Sequence, residues 1–151
     1  MLKNSLGRRV LAAFGGVLML AGAGTTGTAL AGTDFRATLT GGNVPGGGDR
    51  DGWGGLRIEI MDRNTNRLCA DLEIRSIAEV TSAQIYRGRE GEVGEPVARL
   101  ERPRDDDSFD CKEIGADLAQ EIQSNPSAFY ASVATTEYPN GAIRGQLGPA
   151  G

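Results

Sequence analysis

The chain has 151 residues, 16 Lys and Arg against 20 Asp and Glu, a net charge of −4 and no histidine. Without an imidazole, no Ser-His-Asp triad can form, and copper and catalytic zinc sites lose their commonest ligand. The acidic balance argues against binding to nucleic acid or to anionic membranes, because both are bound through cationic side chains.

The N-terminus, residues 1–31, has the pattern of a secretory signal peptide. A basic start leads into an apolar stretch over residues 10–23, which is too short to span a bilayer as a mature helix. Residues 29–31 read Ala-Leu-Ala, a small-x-small cleavage site. We therefore expect cleavage between Ala31 and Gly32.

Cleavage there would leave one domain, residues 32–151, in a secreted, periplasmic or extracellular location. That domain would carry 13 basic and 20 acidic residues, because three basic residues are removed with the signal. It has no lipidated cysteine at its start and no hydrophobic tail, so we expect no membrane anchor. The pair Arg8-Arg9 leaves twin-arginine export open beside the general secretory route.

Alternation of apolar and polar residues with period two predicts half-buried antiparallel strands. The longest runs are residues 35–39, 56–60, 68–74 and 129–135, and shorter strands are expected near 82–87, 97–101 and 141–148. About seven strands joined by glycine-rich turns predict an all-β domain, either a two-sheet antiparallel sandwich or a flattened barrel.

The connections between these strands have signals of their own. Residues 41–55 are rich in glycine and are expected to form a loop. The polar residues 61–67 predict a hairpin turn between the second and third strands. One short helix is expected over residues 115–123, where Leu118 and Ile122 share a face.

Cys69 and Cys111 are the only cysteines of the chain. In an exported domain, two cysteines most simply form one disulfide. A metal ion held by the two thiolates is the alternative, which the absence of histidine and of a Cys-x-x-Cys pair disfavours.

Two polar stretches have some features of calcium sites. Asp62, Asn64 and Asn66 match the first ligand positions of an EF-hand loop, but Arg67 stands where that loop needs glycine. The acidic residues of the run 105–110 could wrap a calcium ion, although such a run is more often a solvated loop.

The C-terminal stretch NPSAFYASVATTEYPNGAIRGQL, residues 125–147, resembles the closing signature of the CHRD domain. This module is named after chordin and is also found alone in exported bacterial proteins. The stretches FRATLTGGNVPGGG, NRLCADLEI and SAQIYRGREGEVGEPVARL resemble earlier parts of the same family, so the resemblance covers nearly all of residues 34–148. It implies an immunoglobulin-like or superoxide-dismutase-like antiparallel β-sandwich.

Histidines of the family fall at Gln84, Tyr86 and Ala134 of this chain. Gln84 and Tyr86 are two residues apart on a predicted strand, so their side chains should share one face. Three histidines at these positions could form a metal or proton site, which Gln, Tyr and Ala cannot reproduce. We interpret the positions as the structural remnant of such a site. A ligand pocket around Tyr86 and Arg144 is the alternative.

Further positions are marked by the resemblance alone. They are Arg87, Gly88, Glu137, Tyr138, Gly141, Arg144 and Gln146. The segment from Tyr138 to Gly141 predicts a turn, because its proline presets φ and its glycine accepts a positive φ. Arg144 is expected to form an ion pair with Glu137 or another acidic neighbour.

Together these observations predict an exported protein with a non-catalytic binding or structural role, and with no cofactor. Its expected partner is an extracellular or envelope protein or polymer. A redox or metal-binding domain of superoxide-dismutase type is the main alternative, which the absence of histidine disfavours. A calcium-dependent adhesion module, with ligands from residues 105–110, is a further alternative.

Overall fold

The computed structural model describes residues 33–61 and 66–151. Within these residues the chain forms nine strands and one short α-helix, and every neighbouring pair of strands is antiparallel. The strands are β1 Asp34–Thr40, β2 Trp53–Met61, β3 Arg67–Arg75, β4 Val80–Arg87, β5 Pro96–Arg99, β6 Asp107–Glu113, β7 Phe129–Thr135, β8 Ile143–Gln146 and β9 Gly148–Pro149; the helix α1 is Ala116–Ser124. The all-β prediction with one short helix is confirmed.

The strands form one continuous sheet that curls around a single core. Their order is β5-β4-β7-β8-β1-β2-β3-β6, with β9 paired to β1. A single register pair, Thr40 with Arg144, joins β1 to β8 and so connects two four-stranded halves. Buried residues from both halves belong to the same apolar cluster, which also includes Ala119 and Ile122 of α1.

Period-two alternation explains which face of each strand is buried. On β1, Phe35, Ala37 and Leu39 point into the core while the residues between them are exposed. On β7, the core positions begin at Phe129, which is fully buried. Burial of each large apolar side chain of this kind contributes about 2 kcal/mol. The two halves are therefore held together mainly by side chains that the sequence pattern identifies.

The second strand begins earlier than its apolar pattern predicts. Trp53, Gly54 and Gly55 belong to β2, although residues 41–55 were all expected to form a loop. A Cβ atom at Gly54 would lie 2.9 Å from the Cδ1 atom of Ile143. Glycine is therefore used here for close packing inside a strand rather than for a turn, and the composition alone does not separate these uses.

The acidic run is not wholly a loop, because its end forms β6. This strand pairs with β3, and its residues that lie opposite the core positions of β3 are Ser108, Asp110 and Lys112. The Lys112 ammonium lies 2.8 Å from the Asp110 carboxylate. That contact holds the pKa of Asp110 below its usual range. The apolar residues of this strand, Phe109 and Cys111, lie on the face away from the core, and the strand is held by backbone pairing at the edge of the sheet.

Cys69 and Cys111 form a disulfide and lie directly opposite each other on β3 and β6. The predicted pairing of the two cysteines is confirmed, and it joins the edge strand β6 covalently to its neighbour. The predicted hairpin partners β2 and β3 are also neighbours, in continuous register.

Some predictions fall on parts of the chain that the structure does not describe. The signal peptide at residues 1–31, its cleavage site between Ala31 and Gly32, and the turn residues 62–65 lie outside the described residues. Along the described ranges, no helix has the length and apolar character needed to cross a membrane.

Gly145 lies where the two halves of the sheet meet. A Cβ atom at this position would lie 2.2 Å from the carbonyl oxygen of Thr38 on β1. We expect Gly145→Ala to lower the free energy of unfolding by about 2 kcal/mol, because overpacking against backbone forces β1 and β8 apart. Urea denaturation measures the change. Gly148→Ala is the matched control, since nothing lies within 4 Å of a Cβ atom there. Equal stability of the two variants would contradict the close approach.

Candidate functional site

Four of the family-motif residues, Gln84, Tyr86, Arg144 and Gln146, lie on the outer face of the half-sheet β4-β7-β8. Cross-strand register places Gln84 beside Ser132 and Arg144 in one row. It places Tyr86 beside Tyr130 and Gln146 in the next row. We call five of these residues, Gln84, Tyr86, Tyr130, Arg144 and Gln146, the Tyr130 cluster.

The two tyrosines of the cluster stack on each other. Their ring centroids are 5.0 Å apart and their planes differ by 4°. The Tyr86 hydroxyl donates a hydrogen bond to the Oε1 atom of Gln84 at 2.7 Å, so these two side chains share one face. The pKa of Tyr86 is raised, mainly by burial and to a smaller extent by the neighbouring Tyr130. The phenol is therefore held in its neutral, hydrogen-bonded form.

Arg144 is buried, with 4% of its surface exposed, and its contacts are not those expected from the sequence. Its guanidinium carbon lies 3.4 Å from the centroid of the Tyr130 ring. Its Nη1 and Nη2 atoms donate hydrogen bonds to the carbonyl oxygens of Glu92 at 2.6 Å and Arg89 at 2.9 Å. The expected ion pair with Glu137 is wrong, since Glu137 is exposed and the partners are main-chain carbonyls.

Burial lowers the pKa of Arg144, and nearby Tyr130, Glu90 and Glu92 act in the opposite direction. The guanidinium stays charged at neutral pH because the ordinary pKa of arginine lies far above neutrality. Its charge is stabilised by the aromatic face beneath it and by carbonyl dipoles, rather than by a carboxylate in contact. Arg144 therefore pins the loop between β4 and β5, residues 88–95, onto the sheet.

Gln146 fastens the start of the same loop. Its Nε2 atom lies within hydrogen-bonding distance of the carbonyl oxygens of Gly88, Ser127 and Phe129, at 2.7, 2.8 and 2.8 Å, and shares its two hydrogens among them. Gly88 has a φ of +157°, and a Cβ atom there would lie 3.0 Å from the Tyr130 ring. The glycine of the motif therefore allows the loop to pass close over an aromatic side chain.

Arg87 links the end of β4 to the helix. Its Nε and Nη2 atoms bind the Glu121 carboxylate at 3.1 and 2.7 Å, and its Nη1 atom binds Glu95 at 3.0 Å. The hydrogen bond from Arg87 lowers the pKa of Glu121. All three side chains are substantially exposed, so this network contributes little to stability.

The turn at the end of the motif has the predicted form. The Gly141 amide donates to the carbonyl oxygen of Tyr138 at 3.1 Å, and Gly141 has a φ of +131°. The Tyr138 amide donates to the Thr135 hydroxyl at 3.1 Å. This turn brings β8 back beside β7 and so places Arg144 next to the tyrosines.

The three positions of the family's histidines lie along a line rather than around a point. Ala134 is opposite Ser82, and Tyr86 is opposite Tyr130. Tyr86 and Ala134 are therefore separated by four residues along the sheet, about 13 Å, with Gln84 between them. The strands β4 and β7 are neighbours, but their register does not bring all three positions together around one ion.

Acidic residues do not gather into a metal site in the described ranges. There, no group of three or more Cys, Asp or Glu side chains is placed to hold a metal ion. Part of the run 105–110 lies on β6, where successive side chains point to opposite faces. The EF-hand-like stretch falls largely on residues 62–65, which the structure does not describe.

Tyr130 is the residue that the sequence prediction missed. It stacks on Tyr86, supports Arg144, and its hydroxyl accepts a hydrogen bond from the Gly94 amide at 3.2 Å. The alternation on β7 puts Tyr130 on the face opposite Phe129, and this pattern alone predicts that Tyr130 points away from the core. Its role as the centre of the cluster depends on cross-strand register, which alternation does not reveal.

The raised pKa of Tyr86 predicts a loss of stability in alkali. The folded state favours the neutral phenol, so its stabilising effect is intact below the ordinary pKa near 10 and is lost as the pH rises through the folded pKa. We expect the urea midpoint to fall as the pH rises above about 10. Tyr86→Phe should reduce this fall, whereas the turn variant Tyr138→Phe should not. Identical alkaline profiles for all three proteins would contradict the prediction.

Comparison with known protein families identifies the family of the chain. The family model described as CHRD domain matches residues 35–147, which include all but the first residue of β1, the Tyr130 cluster and the disulfide. Searches of curated proteins and of solved structures find no significant match. Because the matched region extends over most of the sequence, the chain belongs to the CHRD domain family.

Proposed function

We propose that the protein is an exported CHRD-domain module with a non-catalytic binding or structural role outside the cytoplasm. The observation that carries the proposal is the state of the motif residues. Arg144, Gln146 and Tyr130 are engaged with one another and with main-chain carbonyls of the loop 88–95. Residues committed to internal contacts support a stable surface better than they support turnover of a substrate.

The chemistry of the Tyr130 cluster argues in the same direction. General acid-base catalysis needs a group whose pKa lies near the working pH. Arginine stays protonated at neutral pH and so cannot act as a base, and the pKa of Tyr86 is raised further from neutrality. Gln84 and Gln146 have no titratable group. We therefore favour binding or structural support over catalysis.

Export is supported by the N-terminal pattern and by the disulfide. Residues 1–31 have the basic start, apolar stretch and small-residue cleavage site of a secretory signal. The bond between Cys69 and Cys111 suits an oxidising compartment. The expected partner is an extracellular or envelope protein or polymer.

Expression of the full chain in a bacterial host tests this proposal. We expect the protein in the periplasm or medium, with an intact mass that begins at Gly32 and lacks the two thiol hydrogens. Elemental analysis of the purified protein should find no stoichiometric transition metal, and calcium should not change its thermal melting. Retention of residues 1–31 in the cytoplasm would overturn the proposal.

Two other outcomes favour the competing functions. A stoichiometric bound transition metal, with turnover of superoxide, would favour the redox alternative. Stabilisation by calcium that is lost in Asp105→Asn and Asp106→Asn variants would favour the calcium-dependent adhesion module. Arg50→Gln, a loop variant away from that run, is the control for the calcium measurement.

A further inference from the structure

A groove crosses the outer face of the other half-sheet, where β1, β2 and β3 lie side by side. It has a volume of about 300 Å³. Its floor is Gly55, and its walls are formed by the polar residues Arg36, Thr38, Arg57, Asp71 and Glu73. We call this feature the Gly55 groove. It exists because a glycine in the middle of three paired strands leaves a gap in the outer layer of side chains.

The groove contains two arginines that face each other across neighbouring strands. Arg36 and Arg57 are directly opposite in the register of β1 and β2, and both are exposed. Like charges at directly opposite positions destabilise a sheet. Neither guanidinium forms a salt bridge with any residue that the structure describes. Asp71 lies directly opposite Arg57 on β3 and offsets part of this repulsion. An anion that bridges the two guanidinium groups would offset the rest.

An aromatic ring stands at one end of the groove. Trp53 is 40% exposed, and three carbons of its six-membered ring lie 3.3–4.0 Å from the place of a Cβ atom at Gly55. The indole therefore leans into the gap that glycine leaves. Phe109, 68% exposed, lies opposite Asp71 on the far side of β3. The groove is thus flanked by apolar rings with charged groups between them.

We propose that the Gly55 groove binds an anionic polysaccharide. The paired guanidinium groups match carboxylate or sulfate groups, which arginine binds in bidentate fashion. A sugar ring presents an apolar face that can pack on the indole of Trp53, and its hydroxyls can donate to the Asp71 carboxylate. The Glu73 carboxylate is already bound by Arg75. The inference rests on the proposed extracellular binding role and names the class of its partner.

The shape of the groove favours a polymer over a small molecule. Small ligands are usually enclosed by concave, largely apolar pockets. This groove is shallow and open to solvent, and its lining is mainly polar side chains that project from strands. An extended chain can lie along such a surface and contact both aromatic flanks. The net charge of the protein is negative, so attraction depends on the local arginine pair rather than on the whole surface.

Trp53 is the only tryptophan of the chain, so its fluorescence reports directly on the groove. The test is a fluorescence and calorimetric titration of the purified protein with oligogalacturonate, dextran sulfate and neutral dextran. We expect saturable binding of the carboxylated polymer, the sulfated polymer or both, and none of dextran. Comparison of the two anionic polymers identifies which anion is recognised. Binding should weaken as salt is raised.

Three variants make the test specific. Arg36→Gln with Arg57→Gln should weaken binding at least about tenfold, because it removes both charge-assisted contacts. Gly55→Val fills the groove without changing any charge, and valine suits a strand, so the protein should fold and binding should fall. Arg50→Gln with Arg99→Gln makes the same change in net charge away from the groove and should bind like the unchanged protein.

Several outcomes would overturn the proposal. They are failure of both anionic polymers to bind, equal binding of dextran, and an equal loss of affinity in the Arg50 and Arg99 control. Stronger binding of a polynucleotide or of anionic vesicles would likewise exclude a polysaccharide as the partner. The export and mass measurements do not depend on the groove, so an exported, metal-free protein that binds no polymer would refute this inference alone.

Discussion

Replacing both cysteines, Cys69→Ala with Cys111→Ala, is expected to lower the free energy of unfolding by about 4 kcal/mol. The two cysteines are 42 residues apart in sequence, so the bond removes much of the freedom of the unfolded chain between them. The folded state should keep its pairing of β3 with β6, because the register extends over seven residue pairs. We therefore expect a folded but much less stable protein.

Thermal and urea denaturation under non-oxidising conditions measure this loss. For a domain of this size the melting temperature should fall by roughly 15 °C. Reduction of the unchanged protein should give the same midpoint as the double variant. The control is Met61→Leu, which alters the sulfur atom 3.5 Å from Cys69 Sγ and keeps the disulfide. A double variant as stable as the Met61 control would show that the bond contributes nothing.

Arg144→Met is expected to lower the free energy of unfolding by about 3 kcal/mol. Methionine fills a similar volume but cannot donate to the carbonyl oxygens of Arg89 and Glu92. Those groups must then remain buried without a partner, or the loop 88–95 must open to water. Tyr130 also loses the cation that covers its ring. Opening of the loop should cost less free energy than burying two unpaired carbonyl groups. We therefore expect the loop to become less stable as well as the whole domain.

Hydrogen exchange separates the local effect from the global one. Amides of residues 88–95 should exchange much faster in Arg144→Met, while those of β2 and β3 should follow only the global loss of stability. Arg144→Lys should lie between the two, since it keeps the charge without the planar fork. The surface variant Arg99→Gln should change stability by less than about 0.5 kcal/mol. Unchanged exchange in the loop would refute the pinning role of Arg144.

The sequence predicts those parts of the fold that depend on local pattern. Period-two alternation locates β1, β3 and β7 to within a residue or two, and the turn from Tyr138 to Gly141 follows from proline and glycine. The helix begins at Ala116, one residue later than expected. These elements are visible because each buries one face or has a special backbone conformation.

The parts that the sequence does not predict depend on contacts between distant residues. The strand β6 carries Asp110 and Lys112 where apolar residues would signal a strand. The partners of Arg144 are main-chain carbonyls more than 50 residues away, and main-chain groups have no sequence signature. Likewise, Arg36 meets Arg57 only because of the register of β1 and β2. Residue types alone cannot fix that register.

The sheet ends on both sides in strands that are poor templates for another chain. At one edge, β5 is four residues long and begins with Pro96, which has no amide hydrogen to donate. At the other, a strand added beside β6 would have to cover the Asp110–Lys112 pair, which points toward the core side of the sheet. Such edges oppose growth of the sheet from molecule to molecule. We therefore expect the folded protein to resist cross-β aggregation through its sheet edges.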